Sequence, residues 1–147
     1  VGGLVSGYTL LEILVVTGII ALMATIVTAH LSPGRTDHAV VLQAYRLESA
    51  LRAARSEALA SGQPVEFRVD VAKGSWSRPG EPEQILPSGL SMTLYTGRSL
   101  LRGSEGVILF FPSGRSSGGH INLRSGAWSD RIDVDWLTGR VHRHADP

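Results

Sequence analysis

The chain has 147 residues, 43% of them hydrophobic, and a formal net charge of +1 at pH 7. That length fits one modest domain plus a separate apolar segment, and a chain this close to neutral carries no global field to draw in nucleic acid or a membrane surface. Cysteine is absent, which excludes disulfides, cysteine-based metal sites and a cysteine nucleophile; export remains open, because exported proteins need not use disulfides.

The N-terminal segment comes first. Ile13 to Ala29 is uncharged, and the apolar run reaches back through Tyr8, Thr9, Leu10 and Leu11, broken only by Glu12. From Tyr8 to Ala29 it is just long enough to cross a hydrocarbon core of about 30 Å as a helix. A buried helix in a small domain is seldom apolar on every side. Three readings compete: a plain single-pass anchor, a prepilin-type signal, and a cleavable secretory signal, for which Val27-Thr28-Ala29 places small residues at a peptidase site. Glu12 separates them. A carboxylate inside a spanning helix costs roughly 2.5–3.5 kcal/mol on insertion scales and is usually functional, whereas a plain signal peptide gains nothing from it.

Gly7-Tyr8-Thr9-Leu10-Leu11-Glu12, followed at once by the apolar run, resembles the class III signal of type IV pilins and pseudopilins. The resemblance implies that a prepilin peptidase cuts between Gly7 and Tyr8 and that Tyr8 is N-methylated. It makes Glu12 the assembly residue, fifth after the cut. A buried carboxylate is tolerated beside a buried ammonium, which the Tyr8 amine of a neighbouring subunit would supply, fixing axial register. The leader from Val1 to Gly7 departs from the family pattern in having no Lys or Arg, so charge bias does not set topology here. Val1 in place of Met points to an alternative start or to residues upstream.

Ser32-Pro33-Gly34 is expected to break or kink the helix at the membrane exit, since proline removes a donor and clashes with the preceding turn. Thr36 or Asp37 then offers a cap for a second helix over residues 35–62. Val40, Ala44, Leu47, Leu51, Ala54 and Ala58 recur at helical spacing as one apolar stripe, with Arg46, Glu48, Arg52, Arg55 and Glu57 mostly off it. Gly62 stops the helix and Pro64 prevents its resumption. Val65, Phe67, Val69 and Val71 alternate with polar residues as a half-buried strand. Lys73 to Gly89, with three prolines (Pro79, Pro82 and Pro87), reads mostly as loop. Strands follow at Leu90–Leu94, Gly106–Phe111, Ile121–Leu123, Ile132–Trp136 and Arg140–His144. Leu137-Thr138-Gly139 reads as the turn of the last hairpin. A helix first and strands afterwards predicts α+β with antiparallel sheet.

Phe111-Pro112-Ser113-Gly114-Arg115-Ser116-Ser117-Gly118-Gly119, then Ile121 and Leu123, then Ile132 through Val141, are similar to the C-terminal signature of H-type minor pseudopilins of type II secretion, and Arg55-Ser56-Glu57-Ala58 matches too. The resemblance implies a pilin-like fold, with a long N-terminal membrane-embedded helix followed by an antiparallel β-sandwich-like domain. The expected division is a leader at 1–7, a transmembrane helix at 8–31, an amphipathic helix at 35–62 and a β domain at 64–147, with 35–147 in the periplasm. It further implies single-pass anchoring in a bacterial inner membrane and incorporation near the pseudopilus tip. The implied partners are the prepilin peptidase, other minor and major pseudopilins and the bilayer before assembly, with secreted cargo as a further candidate. Neither a cofactor nor an enzymatic activity is implied.

Other groupings carry less. Gly114, Gly118 and Gly119 suit positive φ in tight turns, and this segment lacks the lysine and strand-to-helix setting of a phosphate loop. Ser116 or Ser117, His120 and Asp133 or Asp135 supply residue types for a hydrolase triad, but no nucleophile elbow precedes a helix. His142 and His144 alternate on a terminal strand without a third ligand placed by sequence. Arg115, Arg140 and Arg143 form a small basic patch, and the alternative reading is a type IV pilus minor pilin that binds DNA for uptake. Asp130, Asp133 and Asp135 beside that patch would repel phosphate.

Overall fold

The computed structural model describes residues 9–30 and 34–146. The expected cut between Gly7 and Tyr8 and the expected helix break at Ser32 and Pro33 lie outside the described residues. The chain divides into two compact units, Val1–Arg35 and Thr36–Pro147.

In the first unit a single helix, α1 (Leu10–His30), carries Glu12 in its first turn. Leucine and alanine favour this helix, whereas its β-branched residues are weaker formers, and Thr17 among them returns its hydroxyl to the carbonyl of Ile13 one turn earlier. The described side chains, Thr9 to Met23, are all exposed, Leu10 at 85% and Leu14 at 69%. Among the described residues no helix is long and apolar enough to cross a membrane; the side chains described in α1 end at Met23, whereas the uncharged run in the sequence continues to Ala29.

The second unit begins within α2 (Gly34–Ser61). The helix starts two residues before Thr36, so Thr36 and Asp37 lie within its first turn and do not precede it. All six residues of the expected apolar stripe are buried, joined by Gln43 and Ala50. The alanines at 44, 50, 54 and 58 are buried in the core with the larger residues of the stripe. The helix ends where Gly62 takes φ 67°, a left-handed conformation that glycine adopts without a Cβ penalty.

Among the described residues nine strands follow: β1 (Val65–Asp70), β2 (Ser75–Ser77), β3 (Gln84–Ile85), β4 (Ser91–Tyr95), β5 (Leu101–Arg102), β6 (Glu105–Phe110), β7 (Gly119–Ser125), β8 (Trp128–Val134) and β9 (Val141–Asp146). They form two antiparallel sheets, one ordered β3-β2-β1-β6-β5 and the other β4-β7-β8-β9. Phe67, Ile108, Phe110, Ile121, Leu123 and Ile132 are fully buried and join the α2 stripe in one core.

Several details differ from expectation. β1 stops at Asp70, before Val71, because the Asp70 carboxylate accepts from the amides of Ala72 (3.0 Å) and Lys73 (3.2 Å) and turns the chain. The segment read as loop contains β2 and β3, secured by Trp76, whose ring stacks on Phe67 at 5.5 Å. β8 runs from Trp128 to Val134, so Asp135 and Trp136 belong to the turn that follows it.

Candidate functional site

The segments singled out in sequence meet at one end of the second unit. The loop after β6, from Phe111 to Ser116, and the loop between β8 and β9, from Asp135 to Arg140, lie against each other and against Arg55 of α2. Ser116 is the joint. Its amide donates to the Trp136 carbonyl (3.0 Å), and its hydroxyl donates to the Asp135 carbonyl (2.9 Å) and accepts from the Gly118 amide (2.9 Å). The Asp135 carboxylate accepts from the amides of Leu137 (3.0 Å) and Thr138 (2.6 Å) and from the Thr138 hydroxyl (2.8 Å). The bonds from Thr138, its amide first, hold this carboxyl below the usual carboxylate range. Arg55 Nε reaches across to the Thr138 carbonyl at 3.2 Å.

Gly139 closes this clamp. Its φ is 61°, and a Cβ there would overlap the Gly114 carbonyl oxygen and press on Arg55 Nε at 3.1 Å. Gly139→Ala is therefore expected to lower stability by about 2–4 kcal/mol, combining left-handed strain with overpacking. Thermal denaturation checks this; an unchanged midpoint would mean that the loops relax to admit a methyl group.

These contacts settle where the triad candidates go. The Ser116 hydroxyl is engaged by backbone, the Ser117 hydroxyl accepts from the Leu109 amide (3.0 Å), and Asp135 holds its own turn. His120 stacks on Tyr95 at 4.4 Å. Asp133 is gripped by Arg131 at 2.7 Å. Among the described residues no hydrogen bond joins either serine hydroxyl to His120.

The outer face of the four-stranded sheet gathers His120, His142 and His144. Tyr95, His120, Asp133 and His142 lie opposite one another in register across β4, β7, β8 and β9. His144 Nε2 is 3.5 Å from Asp133 Oδ2, and His120 Nδ1 is 4.0 Å from Asp133 Oδ1. Burial lowers the His120 pKa, the Arg131 charge adds to that, and Asp133 opposes it.

The three arginines of the sequence patch part company. Arg115 is exposed, its guanidinium 5.4 Å from the centre of the Trp136 ring, and Arg140 is exposed on the clamp. Arg143 turns inward, its side chain only 12% exposed, bonded to Asp130 at 2.7 Å and lying 4.1 Å from the centre of the Tyr45 ring on α2. Strand alternation separates it from His142 and His144, which face the other way. Asp130 is itself 1% exposed. Burial raises its carboxyl pKa against the pull of Arg143. For Arg143 burial is the largest single influence and acts downward, but Asp130 and Tyr45 together outweigh it, so the guanidinium stays charged. The Asp130–Arg143–Tyr45 cluster was missed in sequence, although parity signalled it: Asp130 shares the inward register of Ile132 and Val134, and Arg143 that of Val141.

Glu12 belongs to the first unit, exposed in the first turn of α1, its amide donating to the Thr9 carbonyl at 3.0 Å.

Comparison with known proteins places the chain. The family model of type II transport protein GspH matches residues 43–138, a range that holds Arg55, Ser116 and Asp135. The chain is 34% identical over 138 residues to the type II secretion system protein H of Xanthomonas campestris pv. campestris, covering 92% of this chain and 80% of that one. The fold is similar to the minor pseudopilin EpsH from the type 2 secretion system of Vibrio cholerae, with a TM-score of 0.59 at 16% identity over 72% of this chain and 96% of that one. It is similar also to the Pseudomonas aeruginosa type IV minor pilin FimU, with a TM-score of 0.55 at 13% identity over 74% and 88%. The two structures establish a shared pilin-like architecture, and the sequence matches establish more: the chain belongs to the family of type II transport protein GspH.

Proposed function

We propose that this chain is a minor pseudopilin, a structural subunit near the tip of the type II secretion pseudopilus that takes part in pseudopilus assembly and protein export. The observation that carries the reading is the pairing of a GspH-family domain with α1, whose described side chains form an all-round apolar surface interrupted by Glu12. Such a helix has no use in water. It suits a lipid bilayer before assembly and the interior of a filament afterwards. In this reading the segment from Tyr8 through Ala29 spans the inner membrane once and the domain from Arg35 onward lies in the periplasm. The partners are the other minor and major pseudopilins. A prepilin peptidase cuts between Gly7 and Tyr8, Tyr8 becomes N-methylated, and Glu12 meets the amine of a neighbour's Tyr8.

N-terminal peptide mass analysis of the chain extracted from its own membrane is expected to show N-methylated Tyr8. An N-terminus at His30 would mean signal peptidase cleavage and would overturn the reading. Glu12→Leu is expected to insert at least as well, because the carboxylate desolvation cost disappears, while secretion falls. Full secretion at native protein level would remove the pairing.

A further inference from the structure

The end of the domain that carries the clamp also carries an exposed apolar pair. Trp136 is 58% and Leu137 53% exposed, side by side on a loop. An isolated surface leucine needs no explanation, but an exposed tryptophan beside an exposed leucine on a fixed backbone does. This backbone is fixed. The Trp136 carbonyl accepts from Ser116, the Leu137 amide is held by the Asp135 carboxylate, and the next carbonyl is held by Arg55 of α2. On the other strand of the clamp, a Cβ added at Gly118 would come within 2.9 Å of the Trp136 Cβ, so the tryptophan stem rests directly on that backbone.

Charge defines the surroundings. Arg115 lies over the Trp136 ring and Arg140 follows the turn, both exposed. Neither guanidinium has a carboxylate partner among the described residues. The one acid of the loop, Asp135, is turned into the loop and engaged by its amides. The surface thus presents an aromatic–aliphatic knob on a fixed backbone, flanked by two arginines that have no carboxylate partner among the described residues. Tryptophan and arginine dominate the energetic centres of protein interfaces, and prior rigidity lowers the ordering cost of docking.

We propose that Trp136 and Leu137 anchor this subunit to a neighbouring, different pilin-like subunit, entering an apolar pocket rimmed by carboxylates that meet Arg115 and Arg140. This deepens the pseudopilin reading and rests on it. The complementarity argues against a second copy of this chain as occupant, because apposed copies would bring like-charged arginines together. Nucleic acid has no use for the leucine.

The test uses the full chain expressed from its own locus. With a photo-crosslinking benzoylphenylalanine in place of Trp136, illumination is expected to give a covalent adduct to another pilin-like subunit, identified by mass. Trp136→Ala/Leu137→Ser is expected to accumulate at native level and to reduce secretion roughly tenfold or more, as loss of an interface anchor does. Arg115→Glu/Arg140→Glu leaves the knob in place and is expected to reduce secretion as well. If the double knob variant accumulates poorly, the crosslink in the otherwise native chain decides. An adduct to a second copy, to cargo or to nothing overturns the proposal, as does undiminished secretion by the knob variant at native level. Deletion of the whole chain separates the two readings. Secretion surviving deletion would overturn the secretion role itself, whereas secretion lost on deletion but kept by the knob variant overturns only the docking anchor.

Discussion

Replacing Leu51 with aspartate is expected to unfold the domain, since Leu51 is fully buried at the middle of the α2 stripe among Leu47, Ala54 and the inner faces of both sheets. Losing its packing costs about 2–5 kcal/mol, and an unpartnered carboxyl in that core adds a few more, even protonated. Together these approach the whole stability of a small domain, on the order of 5–15 kcal/mol. The segment from Arg35 onward, produced alone, should lose its sheet signal in circular dichroism and the blue-shifted emission expected of buried Trp76. Leu51→Ala should stay folded with a lowered midpoint. An unaltered melting curve for the aspartate variant would remove Leu51 from the core.

The second large effect is expected at Asp130. Asp130→Ala leaves the Arg143 guanidinium charged and largely enclosed with no carboxylate, at a cost of about 3–5 kcal/mol. Removing both partners, as Asp130→Ala/Arg143→Met, should cost much less, because an absent pair is cheaper than a broken one. The double-mutant cycle should therefore show strong coupling, and additive losses would mean that the pair contributes nothing jointly. The pH dependence has a definite sign. The folded chain holds a proton on Asp130 more readily than the unfolded chain, so stability from this group is full below the ordinary carboxylate pKa and falls as pH rises through the folded value. Asp70 and Asp135 act oppositely. Turn amides depress both, so their contribution is present above the ordinary carboxylate range and is lost as pH falls through their folded values. Asp130→Ala should abolish the first trend and leave the second.

Much of this architecture was legible in sequence, for reasons that also mark the limits. The α2 stripe repeats over five turns, so no single ambiguous residue can mask it, and β1 as far as Val69 and β7 from Ile121 onward alternate because one face of each is buried. Strands of two or three residues have no period to detect, which hid β2, β3 and β5 in proline- and glycine-rich surroundings. Trp136 was drawn into β8 by its strand preference, yet the carboxylate one residue earlier captures the following amides and ends the strand. The family signature was visible as a motif, but its purpose was not. Arg55 and Thr138 lie 83 residues apart, and nothing local indicates that an arginine on a helix will close two distant turns. Arg143 was read by charge alone, whereas its register beside Val141 decides that it points inward.

The long spans of these contacts bear on when the domain can fold. Arg55 bonds to Thr138, and Arg52 Nη2 reaches the Val141 carbonyl across 89 residues. The helix that supplies one wall of the core is complete by Ser61, yet Val134 and Val141, which finish the opposite wall, are among the last residues to arrive. A chain delivered N-terminus first must hold the helix stripe uncovered until nearly its entire length has emerged, because contacts between distant residues demand loop closure before they return stability. Folding is thereby postponed to the final stretch of delivery, and a chain stalled before β9 is left open to proteases.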